Sequence, residues 1–161
     1  DRLKLELTDG RAALMRKKKK FDIIEADALF PYSAYAGNLY SSEYFTLVKE
    51  HLKPGGFAAN WTPTPRIVRT FVKVFPHILA FEGVPLLIGS NQPIEFDVSL
   101  IEARLDSAFT SSHLRQIDMD VQALKWYLRS LQAKRVTPGF DRSRIIDVNT
   151  DLFPKDEYLL P

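Results

Sequence analysis

The sequence predicts an α/β layer fold built on a mostly parallel sheet, with a helical extension on its C-terminal side. Two patterns carry this prediction. Short apolar runs, FDIIEAD, GFAANW, HILAF and PLLIGS, alternate with segments of helical periodicity, the signature of strands layered with helices. The apolar centre of FDIIEAD is continuous rather than alternating, as in a strand buried on both faces of a parallel sheet.

LKLELT (residues 3–8) alternates apolar and polar side chains and reads as a strand. Asp9 and Gly10 follow, and RAALMRKKKK (11–20) then reads as a short helix with cations toward its C-terminal end, where the helix dipole favours them. FDIIEAD (21–27) is the next strand. ALFPYSAYAGN (28–38) has little periodicity and is a long connection, of a kind often functional. SSEYFTLVKEHL (41–52) places Tyr44, Leu47, Val48 and Leu52 on one helical face, with Ser41 or Ser42 as the N-cap, and KPGG ends it. GFAANW (56–61) is a third buried strand, and PTPRIVRTFVKVF (63–75) a helix with Pro in its first turn. HILAF (77–81) and PLLIGS (85–90) are spaced as a hairpin, predicting one antiparallel strand at the end of an otherwise parallel sheet. From residue 94 the pattern is mainly helical, most clearly in MDVQALKWYLRSLQAK (119–134). The expected organisation is a sheet-bearing unit over 1–93 and a helical extension over 94–161.

With 161 residues, 45% apolar and 26% charged, the chain can bury one core. The net charge of +2 is small, and RKKKK (16–20) lacks interleaved aromatics, so it reads as a solvated helix end and no nucleic-acid partner is expected. The absence of cysteine removes disulfides, thiolate metal sites and a cysteine nucleophile. His51, His77 and His113 show no ligand spacing, and no metal is expected. No run of about 18 apolar residues is present, and no signal-peptide pattern, so this segment is expected to be cytoplasmic and not to span a membrane. The opening on Asp1, directly into a strand pattern, suggests a piece of a longer protein.

In α/β sheets ligands bind at the carboxyl ends of the strands, where this reading places Asp9, Asp27 and Trp61. Two accounts stay open for the acids: they converge on a ligand crevice, or Asp9 caps the following helix and Asp27 starts a turn.

TDGRAAL, FDIIEADALFP and LYSSEYFTLVKEHLKPGGFAANW, in this order and spacing, resemble the second half of the catalytic domain of the spermidine and spermine synthases, the polyamine aminopropyltransferases. The likeness covers about residues 3–61 and continues weakly through PLLIGS. VNTDLFPKDEYLLP is similar to the terminus of bacterial spermidine synthase-like proteins, some of which carry membrane-spanning segments upstream. The resemblance implies a partial Rossmann-like fold of the S-adenosylmethionine-dependent methyltransferase class. The first strands, the Gly-rich turn and the ribose-binding acid are missing from it, leaving a gap in mid-sheet to be filled from upstream or by another chain.

The resemblance also implies roles. Asp9 and Gly10 match the family's adenine-holding pair, in which an ionised carboxylate accepts from the exocyclic amine. Asp27 matches the acid that orients the attacking amine and helps deprotonate it, and Pro31 matches the motif's proline. A polyamine is cationic at neutral pH, so a carboxylate beside it both gathers the cation and takes or relays the proton. Phe30 stands where the family has a second acid, and Trp61 where it often has a polar residue lining the amine cavity; aromatic faces can also receive cations. The implied function is transfer of an aminopropyl group from decarboxylated S-adenosylmethionine to a polyamine or other small amine, without metal, in a homo-oligomer. Two alternatives stand beside it: methyl transfer from S-adenosylmethionine, and a non-catalytic nucleoside-binding or interaction module, of which Phe30 would be the sign.

Overall fold

Helix α1 (Gly10–Arg16) and strand β1 (Phe21–Ala26) open the fold of the chain, which a computed structural model describes over residues 3–26 and 30–158. There follow α2 (Ser42–Glu50), β2 (Leu52–Trp61), α3 (Pro65–Val74), β3 (His77–Phe81), β4 (Leu86–Ser90), α4 (Val98–Leu105), α5 (Ala108–Gln116), α6 (Val121–Ser130) and β5 (Ala133–Val136). Short 3₁₀ turns cover Ala36–Leu39 and Lys155–Tyr158. Among the described residues no helix is long and apolar enough to cross a membrane.

The sheet order is β1-β2-β4-β3-β5. β1 and β2 are parallel and joined through α2, the βαβ crossover that parallel pairing requires. β4 is antiparallel to both β2 and β3, so β3 runs in the direction of β2. This is a Rossmann-like α/β half-sheet with two reversed strands, β4 inside it and the short strand at residues 133–136 on its edge.

Local signals built the helices as expected. The Ser41 hydroxyl caps α2 by accepting from the Tyr44 amide at 3.1 Å, and Thr64 caps α3 by accepting from Ile67, with Pro65 in the first helical position. α2 and α3 lay Phe45, Val48, Ile67, Phe71 and Phe75 into the core, with Phe71 and Phe75 stacked at 4.4 Å. Their rings lie directly on the β4 backbone: a Cβ on Gly89 would stand 2.5 Å from the Phe75 ring.

Several expectations are corrected. LKLELT forms no strand; residues 3–7 are irregular and exposed, because no neighbouring strand offers them ladder bonds. α1 stops at Arg16, so Lys17–Lys20 lie outside it, and Lys17 turns to pair with Glu6. β1 is not buried on both faces: it has one neighbour, β2, and Ile23 is exposed while Phe21 and Ile24 pack on the core. KPGG lies within β2 as an irregularity, with Gly55 at φ 75° and the β1 register shifting across it. The reversed strand β4 sits between β2 and β3, not at the sheet's end. α6 ends at Ser130, and residues 133–136 add β5, antiparallel to β3.

Candidate functional site

At the start of α1, Asp9 has extended backbone and its Oδ1 accepts from the Ala12 amide at 2.6 Å, capping the helix. The same residue lines a cavity of about 650 Å³ with Arg11, Tyr35, Asn38, Leu39 and Asp151. Capping and ligand binding are compatible, since a carboxylate carries about four lone-pair sites and the cap takes one. Gly10 opens α1 with free space where a Cβ would project, and it is not part of the cavity lining.

One wall of the cavity is the turn at residues 34–39. Tyr35 holds a left-handed backbone at φ 67°, a conformation that costs a bulky residue roughly 1–3 kcal/mol and persists only where surroundings impose it. The Glu157 carboxylate accepts from the Tyr35 amide at 2.9 Å and the Gly37 amide at 3.3 Å. The Tyr35 side chain is exposed along the cavity.

A second wall joins α1 to the C-terminal segment. The Arg11 guanidinium donates to both Asp151 oxygens, at 2.7 and 2.5 Å, and to the Asn38 carbonyl at 2.8 Å. This charge-assisted fork raises the Arg11 pKa and lowers that of Asp151.

The C-terminal segment is anchored on α3. Asn149 and Asp156 are buried, and Asp156 accepts from the Thr64 hydroxyl at 2.6 Å, from the Asn149 side chain at 2.9 Å and from Arg66. Asp147 accepts from Arg66 Nε at 3.0 Å, Arg69 Nη2 at 2.6 Å and Lys155 at 3.0 Å. These donors, Arg66 foremost, hold the Asp147 carboxyl well below the usual carboxylate range.

Beyond the β1 end, Phe30 meets Trp61, the last residue of β2, edge to face at 5.3 Å and stacks on Tyr32 at 5.3 Å. Phe30 and Trp61 are thus brought together, but neither lines the Asp9 cavity. Phe30 and Tyr32 are substantially exposed, leaving aromatic surface for a ligand. Asp27 lies outside the described residues.

Sequence reasoning missed Arg11, Tyr35, Asp151 and Glu157. A left-handed Tyr has no sequence signature, and the two acids act across more than a hundred positions. The acid-rich ending TDLFPKDE was the available signal.

Residues 1–72 match the family model of the spermine/spermidine synthase domain. A polyamine aminopropyltransferase of Korarchaeum cryptofilum (strain OPF8) is 27% identical over 161 residues, covering 87% of this chain and 50% of that protein. The chain therefore spans about half the length of this relative. Among solved structures, MNMC2 from Aquifex aeolicus matches with a TM-score of 0.47 and 16% identity, over 78% of this chain and 44% of that one. The fold is read from the sheet topology and not from this likeness. Over residues 1–72 the chain is similar to the spermine/spermidine synthase domain.

Proposed function

We propose that this chain is the C-terminal part of a polyamine aminopropyltransferase-like enzyme, which moves an aminopropyl group from decarboxylated S-adenosylmethionine to an amine. The observation that carries the reading is the cavity in which Asp9 faces the turn at residues 34–39, inside the stretch related to the family. In this reading the nucleoside lies in that cavity, with Asp9 accepting from the adenine amine and Gly10 beside it. The amine lies toward Phe30, Tyr32 and Trp61, whose faces suit a cation or its alkyl chain. The amine nitrogen attacks the aminopropyl carbon, and the carbon–sulfur bond breaks with its electron pair passing to sulfur, releasing methylthioadenosine. Asp27 orients the amine and takes or relays its proton. The division at 93/94 belongs to the same proposal, with β5 of the second part completing the sheet of the first, as does a homo-oligomer; the isolated 161-residue chain is expected to associate through its exposed sheet edges.

A non-catalytic nucleoside-binding module is the second reading, favoured by Phe30, which packs against rings where an acid would grip the amine. Turnover of the full-length protein decides between them, with decarboxylated donor, a panel of amines and methylthioadenosine release as the signal. Asp27→Asn should lower turnover by roughly 10²-fold or more, the scale of lost general-base catalysis. Asp9→Asn should weaken methylthioadenosine binding while leaving α1 intact, because Asn caps a helix as well as Asp does. Full turnover in Asp27→Asn removes the catalytic role. Nucleoside binding by the wild type without turnover on any amine selects the second reading.

A further inference from the structure

We infer that Glu157 is a positioning residue for a nucleoside's base: from the C-terminal segment it sets the backbone of Tyr35, whose ring then stacks on the base in the Asp9 cavity. This rests on the proposed nucleoside site and adds to it a ligand-facing ring, Tyr35, and the carboxylate that aims it.

Three observations converge. The first is the pairing of one carboxylate with two amides: the two Glu157 oxygens divide between Tyr35 and Gly37. That arrangement fixes the turn on both sides of Ala36, a residue that is itself buried. The second is the backbone of Tyr35, which is left-handed although the residue is neither Gly nor Asn, so the turn is held by its surroundings and not by its own preference. The third is the contact at Gly37. A Cβ there would fall 2.3 Å from Pro154 Cβ and 2.7 Å from Glu157 Oε2, so the C-terminal segment seats only because that position carries no side chain.

The segment that delivers Glu157 is itself rigidly placed. The buried Asp156 ties it to α3 through Thr64 and Arg66, and Asp151 ties it to α1 through Arg11. The cavity is thereby closed by a stretch of chain far from the residues it serves. A tyrosine ring offers a flat π-face to any heteroaromatic base, and Asp9 an acceptor to an exocyclic amine. The ligand class that uses both is an aminopurine nucleoside.

The test uses the full-length protein and methylthioadenosine, with amide-resolved hydrogen exchange and calorimetry on each variant. In Glu157→Gln, one amide would face an NH₂ donor in place of an oxygen, and exchange at Tyr35 or Gly37 should speed by on the order of 10-fold. Methylthioadenosine should bind on the order of 10-fold more weakly in the same variant. Gly37→Ala should do the same while keeping Glu157 itself, by displacing Pro154 and the Glu157 oxygen beside it. Tyr35→Ala should weaken binding and Tyr35→Phe restore it; both sit on an exposed side chain and leave the core untouched. Wild-type exchange rates in Glu157→Gln, or wild-type affinity in Glu157→Gln and Tyr35→Ala, would overturn the inference. If the wild type binds no methylthioadenosine, the nucleoside site falls together with the stacking role. The exchange rates then still decide whether Glu157 sets the turn.

Discussion

Arg11 and Asp151 stand 140 positions apart and meet through two parallel hydrogen bonds, guanidinium to carboxylate. Arg11 follows directly on the acid–glycine pair of α1, and Asp151 belongs to the C-terminal segment. The pair therefore closes one side of the Asp9 cavity with residues from both ends of the chain.

A lysine cannot reproduce that fork, because its ammonium is a single point charge on a flexible stem. Arg11→Lys should keep the charge yet cost about 1 kcal/mol of stability, the scale of a partly exposed charge-assisted pair. Urea unfolding monitored by tryptophan fluorescence measures it. A midpoint equal to wild type would show that the pair adds nothing to the fold.

Acid should release the C-terminal segment. Asp151 is lowered from its ordinary value of 3.8 chiefly by its bond from Arg11, and Asp147 from the same value chiefly by Arg66. A carboxyl depressed in the folded state stabilises fully above its unfolded value and loses that contribution as pH falls through the folded one. Amide protection over 147–157 should therefore be level from neutral pH down to about 4, then fall. In Asp151→Asn the part of this loss that comes from Asp151 should disappear. Loss of protection centred near pH 6 would assign the effect to other groups.

Gly89→Ala probes the packing of α3 on β4. The new methyl would meet Phe75 at 2.5 Å and Phe71 at 2.7 Å, both fully buried rings with no room to withdraw. Overpacking of this kind costs roughly 1–3 kcal/mol, readable as a lower denaturation midpoint. A stability unchanged from wild type would mean that the sheet and α3 separate more easily than their contacts imply.

Phe30→Asp tests the amine side of the proposed site. Under the aminopropyltransferase reading, restoring an acid at this position should improve the use of putrescine relative to amines with a single charge. The ratio of kcat/KM values for the two amine classes is the measurement. A ratio that stays put, or moves toward the single charge, would remove Phe30 from the determinants of amine choice.

What the sequence disclosed was mostly local. Ser41, Thr64 and Pro65 marked the starts of α2 and α3 because capping acts within a few residues. The β3–β4 hairpin was legible from its short spacing, but its orientation in the sheet was not, since a hairpin says nothing about which of its strands faces β2. LKLELT has strand alternation and no strand, because alternation describes side chains while a strand exists only through a neighbour's hydrogen bonds. Helical periodicity through Lys134 lost to pairing with β3, whose free edge draws residues 133–136 into extended form. At the candidate site the acid before α1 could be picked out, whereas the ring contact of Phe30 with Trp61 was not foreseen, since it depends on how the loop after β1 returns to the end of β2. Asp151 and Glu157 were beyond reach, because their partners are set by the path of the whole chain.

The seating of Pro154 and Glu157 against Gly37 has a practical consequence for anyone who trims this protein. The stretch that matches the family model ends at residue 72, an inviting place to cut. A shortened version ending there would keep the whole stretch that matches the family model. It would also leave Arg11 without its counter-charge, and the Tyr35 and Gly37 amides without their acceptor. Such a fragment would keep the matching stretch and yet lack one side of the cavity that its own residues begin.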